Sequence, residues 1–167
     1  MIAQIWLEDV EMRMCGYVGK LRFENAIANN RREGTGPSLH EKTARLHVIG
    51  AQCEFACSII VNRYWRPHVG KVGKDRQPDV GGCLEVRSTD LPDGRLIVKP
   101  HDPEWPTALI FHDRNRHVFL GWEMAWRVKQ EPLLHYADND PAHFMQQREL
   151  RNLTELKEYL RRYDEKS

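Results

Sequence analysis

The chain has 167 residues, a length that favours one domain able to bury a core without staples. Its 41% hydrophobic and 29% charged residues exclude a disordered chain, and a formal net charge of +1 excludes any argument from overall charge for a nucleic-acid or membrane partner. The apolar runs fall short of the ~20 residues a membrane helix needs, and the N-terminus has no basic leader, so a soluble cytoplasmic protein without a membrane partner is expected.

In the first 30 residues, Met12, Met14, Tyr17, Leu21 and Phe23 suggest a strand pair, with a helix as the alternative. Asn29 to Gly36 is a polar loop. Ser38 and Glu41 then form a capping-box pattern that opens a long helix running to about Tyr64. From Val48 onward this helix is apolar on nearly every face, as buried helices are, yet Glu54 stands in its middle. A connection from Arg66 to Gln77 follows, with a short strand candidate at Lys71–Gly73. The Gly81-Gly82 pair predicts a tight turn between extended arms, the second carrying Glu85-Val86-Arg87. Strands are expected at Arg95–Lys99, Ala108–His112 and Val118–Trp122. Asn152 with Glu155 caps a final helix bearing Leu153, Leu156 and Leu160. This order predicts an α/β domain with a central mixed sheet flanked by helices.

The chemistry-bearing candidates are Glu54, Asp79 and Glu85. An ionised carboxylate in an apolar interior must be protonated, paired or metal-bound, so Glu54 is either a metal ligand or half of an internal salt bridge. Glu85 and Arg87, two apart on a strand, share a face. With Asp79 closing across the glycine turn and Glu54 on a covering helix, the set suits Mg²⁺ or Mn²⁺. The alternative for Asp79 and Glu85 is a turn acid and a solvent-facing strand acid; for Arg87 it is a structural ion pair. Cys53 and Cys57, four apart on one helix face, could join a zinc site, though buried packing is commoner and no CxxC is present. All four cysteines, Cys15 and Cys83 included, read as reduced thiols. No P-loop, dinucleotide fingerprint, HExxH or GxSxG occurs.

Pro78-Asp79 followed by Glu85-Val86-Arg87 resembles the PD-(D/E)xK motif of restriction-endonuclease-like nucleases, and Glu54 sits where that fold's first core helix often supplies an acid. Segments such as Ile49 to Ala56, Asp79 to Gly82, Leu96 to Pro100 and Pro141 to Phe144 resemble phage and prophage proteins of this type. The likeness spans residues 16–156. It implies a PD-(D/E)xK core and a divalent-metal-dependent DNA nuclease. Asp79 and Glu85 would be metal ligands, Glu54 a direct or water-mediated one, and Arg87 would contact the phosphate. The departure is Arg87 where the family has lysine, because arginine stays protonated and cannot serve as a base. Lys99 is a candidate for a migrated lysine. A catalytically silent module that binds DNA or protein, or a phage assembly component, is the competing expectation.

Arg63, Arg66, Lys71, Lys74 and Arg76 gather five cations against one acid, with Tyr64 and Trp65 alongside. Together with Lys99 they form the expected DNA-backbone contact, the alternative being a solvated loop. Trp105, Trp122 and Trp126 read as core or interface residues. Homo-oligomerisation is left open.

Overall fold

A computed structural model describes residues 3–29, 37–70, 77–136 and 139–165. Short strand β1 (Gln4–Trp6) leads into helix α1 (Asp9–Ala28), where a strand pair was the first expectation. The residues that α1 buries are Cys15, Val18, Gly19 and Ala26, a helical period written mostly in small side chains. The conspicuous Met14 and Tyr17 are exposed instead, so the apolar signal misstates the period. Glu8 opens the helix, its backbone N–H donating to Glu11 Oε2 at 2.8 Å.

Helix α2 (Pro37–Val61) is the long helix expected, ending three residues earlier than predicted. Asn62 adopts a left-handed φ of 55°, and Arg63 N–H closes back on Ser58 O while Asn62 N–H closes on Ile59 O. This is the Schellman geometry that satisfies orphan carbonyls at a helix end. The Ser38 and Glu41 side chains of the expected capping box, the 30–36 part of the polar loop and the Lys71–Gly73 strand candidate lie outside the described residues. By length and composition Lys42–Val61 is apolar enough to cross a membrane, with a mean hydropathy of 1.3. In the fold it is a core helix, burying Ala51, Cys53, Ala56 and Cys57 against α1 and the sheet.

The strands divide into two sheets rather than one. The first is mixed and four-stranded in the order β1, β5 (Arg116–Met124), β4 (Pro106–Asp113), β2 (Glu85–Thr89), with β2 parallel to β4 and the other pairs antiparallel. The second is antiparallel and three-stranded, in the order β3 (Leu96–Val98), β7 (Asn139–Met145), β6 (Leu133–Tyr136). Alternation along β4 explains the layering. Ala108 and Ile110 join Cys53, Cys57, Trp122, Leu156 and Leu160 in one core. Leu109 joins Leu96, Val98 and Met145 in another, with Ala125 and Val128 of the short helix α3 (Ala125–Val128). Because β4 is covered on both faces it reads as a continuous apolar run. Helix α4 (Leu153–Asp164) carries the predicted cap, with Asn152 Oδ1 accepting from Glu155 N–H and Asn152 N–H donating back to Glu155 Oε2.

Two features position the site. Gly19 lets α1 approach α2, since a Cβ there would lie 2.5 Å from Val48 Cα. Strand β2, meanwhile, is an edge of the mixed sheet, so one side of its backbone is open to partners other than a strand.

Candidate functional site

Glu54, Asp79, Glu85 and Arg87 line one cleft of about 470 Å³ between α2 and the edge strand β2, together with Arg22 and His47. A smaller neighbouring hollow of about 150 Å³ shares Arg22, His47, Glu54 and Asp79 and adds His68.

Glu54 is buried and fully engaged. Arg22 from α1 grips it at two points, Nη1 to Oε1 at 2.6 Å and Nη2 to Oε2 at 2.7 Å, and Trp65 Nε1–H donates to Oε2 at 3.0 Å. Arg22 also donates from Nε to His68 O at 2.7 Å. The internal salt bridge weighed for Glu54 is therefore present, its cation supplied by α1. A bidentate guanidinium is the geometry that makes a buried carboxylate tolerable.

Asp79 lies in the bend before the Gly81-Gly82 turn. Both glycines have positive φ, 59° and 68°, which is what allows Val80 and Leu84 to exchange backbone hydrogen bonds across so short a loop. Val86 N–H, on the open side of the edge strand, donates to Asp79 Oδ2 at 2.9 Å. Burial raises the Asp79 carboxyl well above its usual range, and the nearby charges of Glu54 and Glu85 push the same way. The Val86 N–H and Arg22 act against that rise.

Glu85 and Arg87 share a face, as their spacing predicts, with Arg87 Nη1 3.1 Å from Glu85 Oε1. That face is set by register. Val86 pairs with Ala108, which packs towards α2, whereas Arg87 pairs with Leu109, which packs towards β3. Glu85 and Arg87 thus meet Glu54 around the edge of β2 rather than beneath α2 on one sheet face. Arg87 reaches further, to buried Asp102, with Nη2 2.7 Å from Oδ2. The structural ion pair weighed for Arg87 is realised with Glu85, and Asp102 is a second partner.

This wrap-around has a consequence for metal binding. Among the described residues no three His, Cys, Asp or Glu side chains form a ligand group. Asp79 and Glu85 line the same cleft, so the carboxylates there number two beside the Arg22-bound Glu54. Glu54 already accepts three hydrogen bonds, one on Oε1 and two on Oε2, which leaves Oε1 the less engaged oxygen.

The expected DNA contacts fare unevenly. Arg63 pairs with Asp164 through two 2.6 Å contacts, Lys99 Nζ pairs with Asp140 at 2.9 Å, and Arg66 bonds Gln77. Lys71, Lys74 and Arg76 lie outside the described residues. Lys99 is not part of the cleft lining. Cys53 and Cys57 are fully buried in the core, and burial raises both thiols, which is packing rather than zinc chemistry. Trp122 is likewise core, fully buried with Nε1–H on Asn152 O at 3.1 Å.

Arg22, Trp65, Asp102 and His47 were not singled out as site residues from sequence. Only the demand that Glu54 have a cation pointed towards the first of them. No family model matches the chain, and neither a curated protein nor a solved structure shows significant similarity to it.

Proposed function

We propose that the chain is a divalent-metal-dependent nuclease with a PD-(D/E)xK-type core, hydrolysing DNA phosphodiesters as phage or prophage nucleases do. One observation carries the reading: Asp79, Glu85, Glu54 and Arg87, singled out by the motif, line a single cleft in which the other carboxylates oppose ionisation of Asp79. A cation beside Asp79 would relieve that repulsion. The order of parts also supports it, with a core helix, a turn acid and then an edge strand carrying Glu-Val-Arg.

In this reading Asp79 and Glu85 hold Mg²⁺ or Mn²⁺. The bound ion supplies an activated water and charge neutralisation at the phosphate. Glu54, fixed by Arg22 and Trp65, adds negative charge near Asp79 that favours a bound cation. Arg87, oriented by Asp102 and Glu85, offers donors to a phosphate oxygen but takes no proton.

A second reading is favoured by a specific contact. Arg87 stands where lysine is usual, and its guanidinium is already committed to Glu85 and Asp102. A catalytically silent nuclease-like module that binds DNA or protein would keep such an ion pair for stability alone. The deciding experiment incubates plasmid and linear DNA with wild type and Asp79→Asn in Mg²⁺ and in Mn²⁺. Cleavage by wild type that Asp79→Asn abolishes supports the nuclease. Absence of cleavage, or equal cleavage by both, removes it in favour of the binding module.

A further inference from the structure

A second and larger groove, of about 640 Å³, adjoins the carboxylate cleft, and Leu46 of α2 forms a rim of both. Its lining includes Lys42 and Arg45 on α2 and Arg114 in the β4–β5 turn, all three exposed. Among the described residues these cations make no ion pair and no side-chain hydrogen bond. That sets them apart from Arg22, Arg63, Arg87, Arg127, Lys129 and Arg151, each of which has a carboxylate partner.

Arg114 is the more telling member. Its φ is 56°, in the left-handed region that turns ordinarily give to glycine or asparagine. A long cationic side chain thus stands where the backbone disfavours it, and the place it lines is this groove. His112, whose burial lowers its pKa, adds no positive charge of its own at neutral pH. Asp90 and Asp113 stand near His112 and also line the groove, so its charge is three cations against two acids.

We infer that Lys42, Arg45 and Arg114 form a track for the phosphate backbone of DNA, leading over Leu46 to the carboxylate cleft. The inference rests on the nuclease-like reading of that cleft and gives it a substrate path different from the Arg63–Arg76 stretch. Cations spread over two elements on one side of the cleft suit successive phosphates of a strand, with Asp90 and Asp113 weakening that attraction.

The test measures anisotropy of a short fluorescent DNA duplex in EDTA, where binding is read without cleavage. Wild type should bind, with affinity falling steeply as salt rises. Lys42→Gln/Arg45→Gln/Arg114→Gly should weaken binding by about 10–100-fold and reduce the log–log salt slope by about 2–3, the loss expected for that many phosphate contacts. Arg114→Gly alone should weaken binding while holding or raising the melting temperature, which separates lost contact from lost fold. Asp90→Asn/Asp113→Asn should move affinity the other way. Lys71→Gln/Lys74→Gln should leave it nearly unchanged. Equal affinity and slope in wild type and the triple variant overturn the track. So does absence of DNA binding by wild type, or binding confined to phosphatidylserine vesicles. Cleavage does not enter these readouts, so a binding protein that never cuts would retain the track and lose only the nuclease reading.

Discussion

Arg22 of α1 holds Glu54 of α2 through two contacts of 2.6 and 2.7 Å, joining the two helices at the wall of the carboxylate cleft. Both side chains are largely buried, at 14% and 9% exposure, so the pair exchanges solvation for mutual attraction. Such a pair contributes little against an apolar replacement of both partners, but breaking it is costly. Arg22→Leu should destabilise the fold by about 3–5 kcal/mol, because Glu54 is left charged in an apolar setting. Glu54→Leu alone leaves the Arg22 cation unpaired in the same way, and Arg22→Leu combined with Glu54→Leu should recover most of the loss. Urea unfolding of the four species closes the cycle, and a double variant no better than Arg22→Leu would contradict the account.

The helix contact that makes this pair reachable depends on Gly19. An added Cβ would meet Val48 backbone atoms at 2.5 and 2.6 Å, which no rotamer change can relieve. Gly19→Ala should therefore cost about 1–3 kcal/mol through displacement of α1. Gly16, in the same helix, meets nothing within 4 Å, so Gly16→Ala should instead stabilise by about 0.5–1 kcal/mol. Opposite shifts in melting temperature for two identical substitutions three residues apart are the expected result.

Most of the later elements were legible because their signals are local. The glycine turn, the strands around Ala108–His112 and Val118–Trp122, and the Asn152 cap each follow from residues within a few positions. Helix α1 was not, since it buries Cys15, Gly19 and Ala26 while exposing Met14 and Tyr17. The site was legible in its carboxylates and opaque in their partners. Glu54 in an apolar helix requires a cation, but Arg22 is 32 positions away and becomes a neighbour only through the α1–α2 contact. Asp102, in the bend between β3 and β4, was missed for a similar reason: its partner Arg87 lies 15 positions away on β2, and nothing near Asp102 in sequence marks it as buried.

Asp79 gives a pH-dependent test. Its carboxyl is raised in the fold by burial and by Glu54 and Glu85, so the folded chain binds a proton more readily there than the unfolded chain. That contribution is fully present below the ordinary carboxylate pKa of about 3.9 and is lost as pH rises through the raised value. At neutral pH the carboxyl is therefore a cost to folding, and Asp79→Asn removes it while keeping an oxygen for the Val86 N–H. The variant should melt higher than wild type at neutral pH, with the difference shrinking under acid. Millimolar Mn²⁺ should raise the wild-type melting temperature by preferential binding to the folded state and leave Asp79→Asn unmoved. A flat pH difference would contradict the electrostatic account of Asp79, and an equal Mn²⁺ shift in both proteins would place the ion elsewhere.

Arg87 separates catalysis from binding most sharply, because its charge serves two purposes at once. It sits between buried Glu85 and Asp102, at 3.1 and 2.7 Å, so removing it brings two acids together without the guanidinium between them. Arg87→Ala should lower stability by about 3 kcal/mol or more on that ground alone, whatever the function. Arg87→Lys retains the charge but offers a compact ammonium in place of a planar fork, so it can satisfy one carboxylate well and the other poorly. Its stability should fall between wild type and Arg87→Ala. The functional outcomes then diverge. In the nuclease reading the guanidinium also stabilises charge developing on the phosphate, and Arg87→Ala slows metal-dependent cleavage by roughly 30–1000-fold. Arg87→Lys, which restores the residue usual in the motif and one able to position water, keeps measurable cleavage or exceeds wild type. In the binding reading no variant cuts DNA, and Arg87→Lys tracks stability alone. Cleavage by Arg87→Lys where wild type is silent would mean a nuclease site left intact except for this one side chain, with the Glu85–Arg87–Asp102 ion pairs standing in the lysine's place.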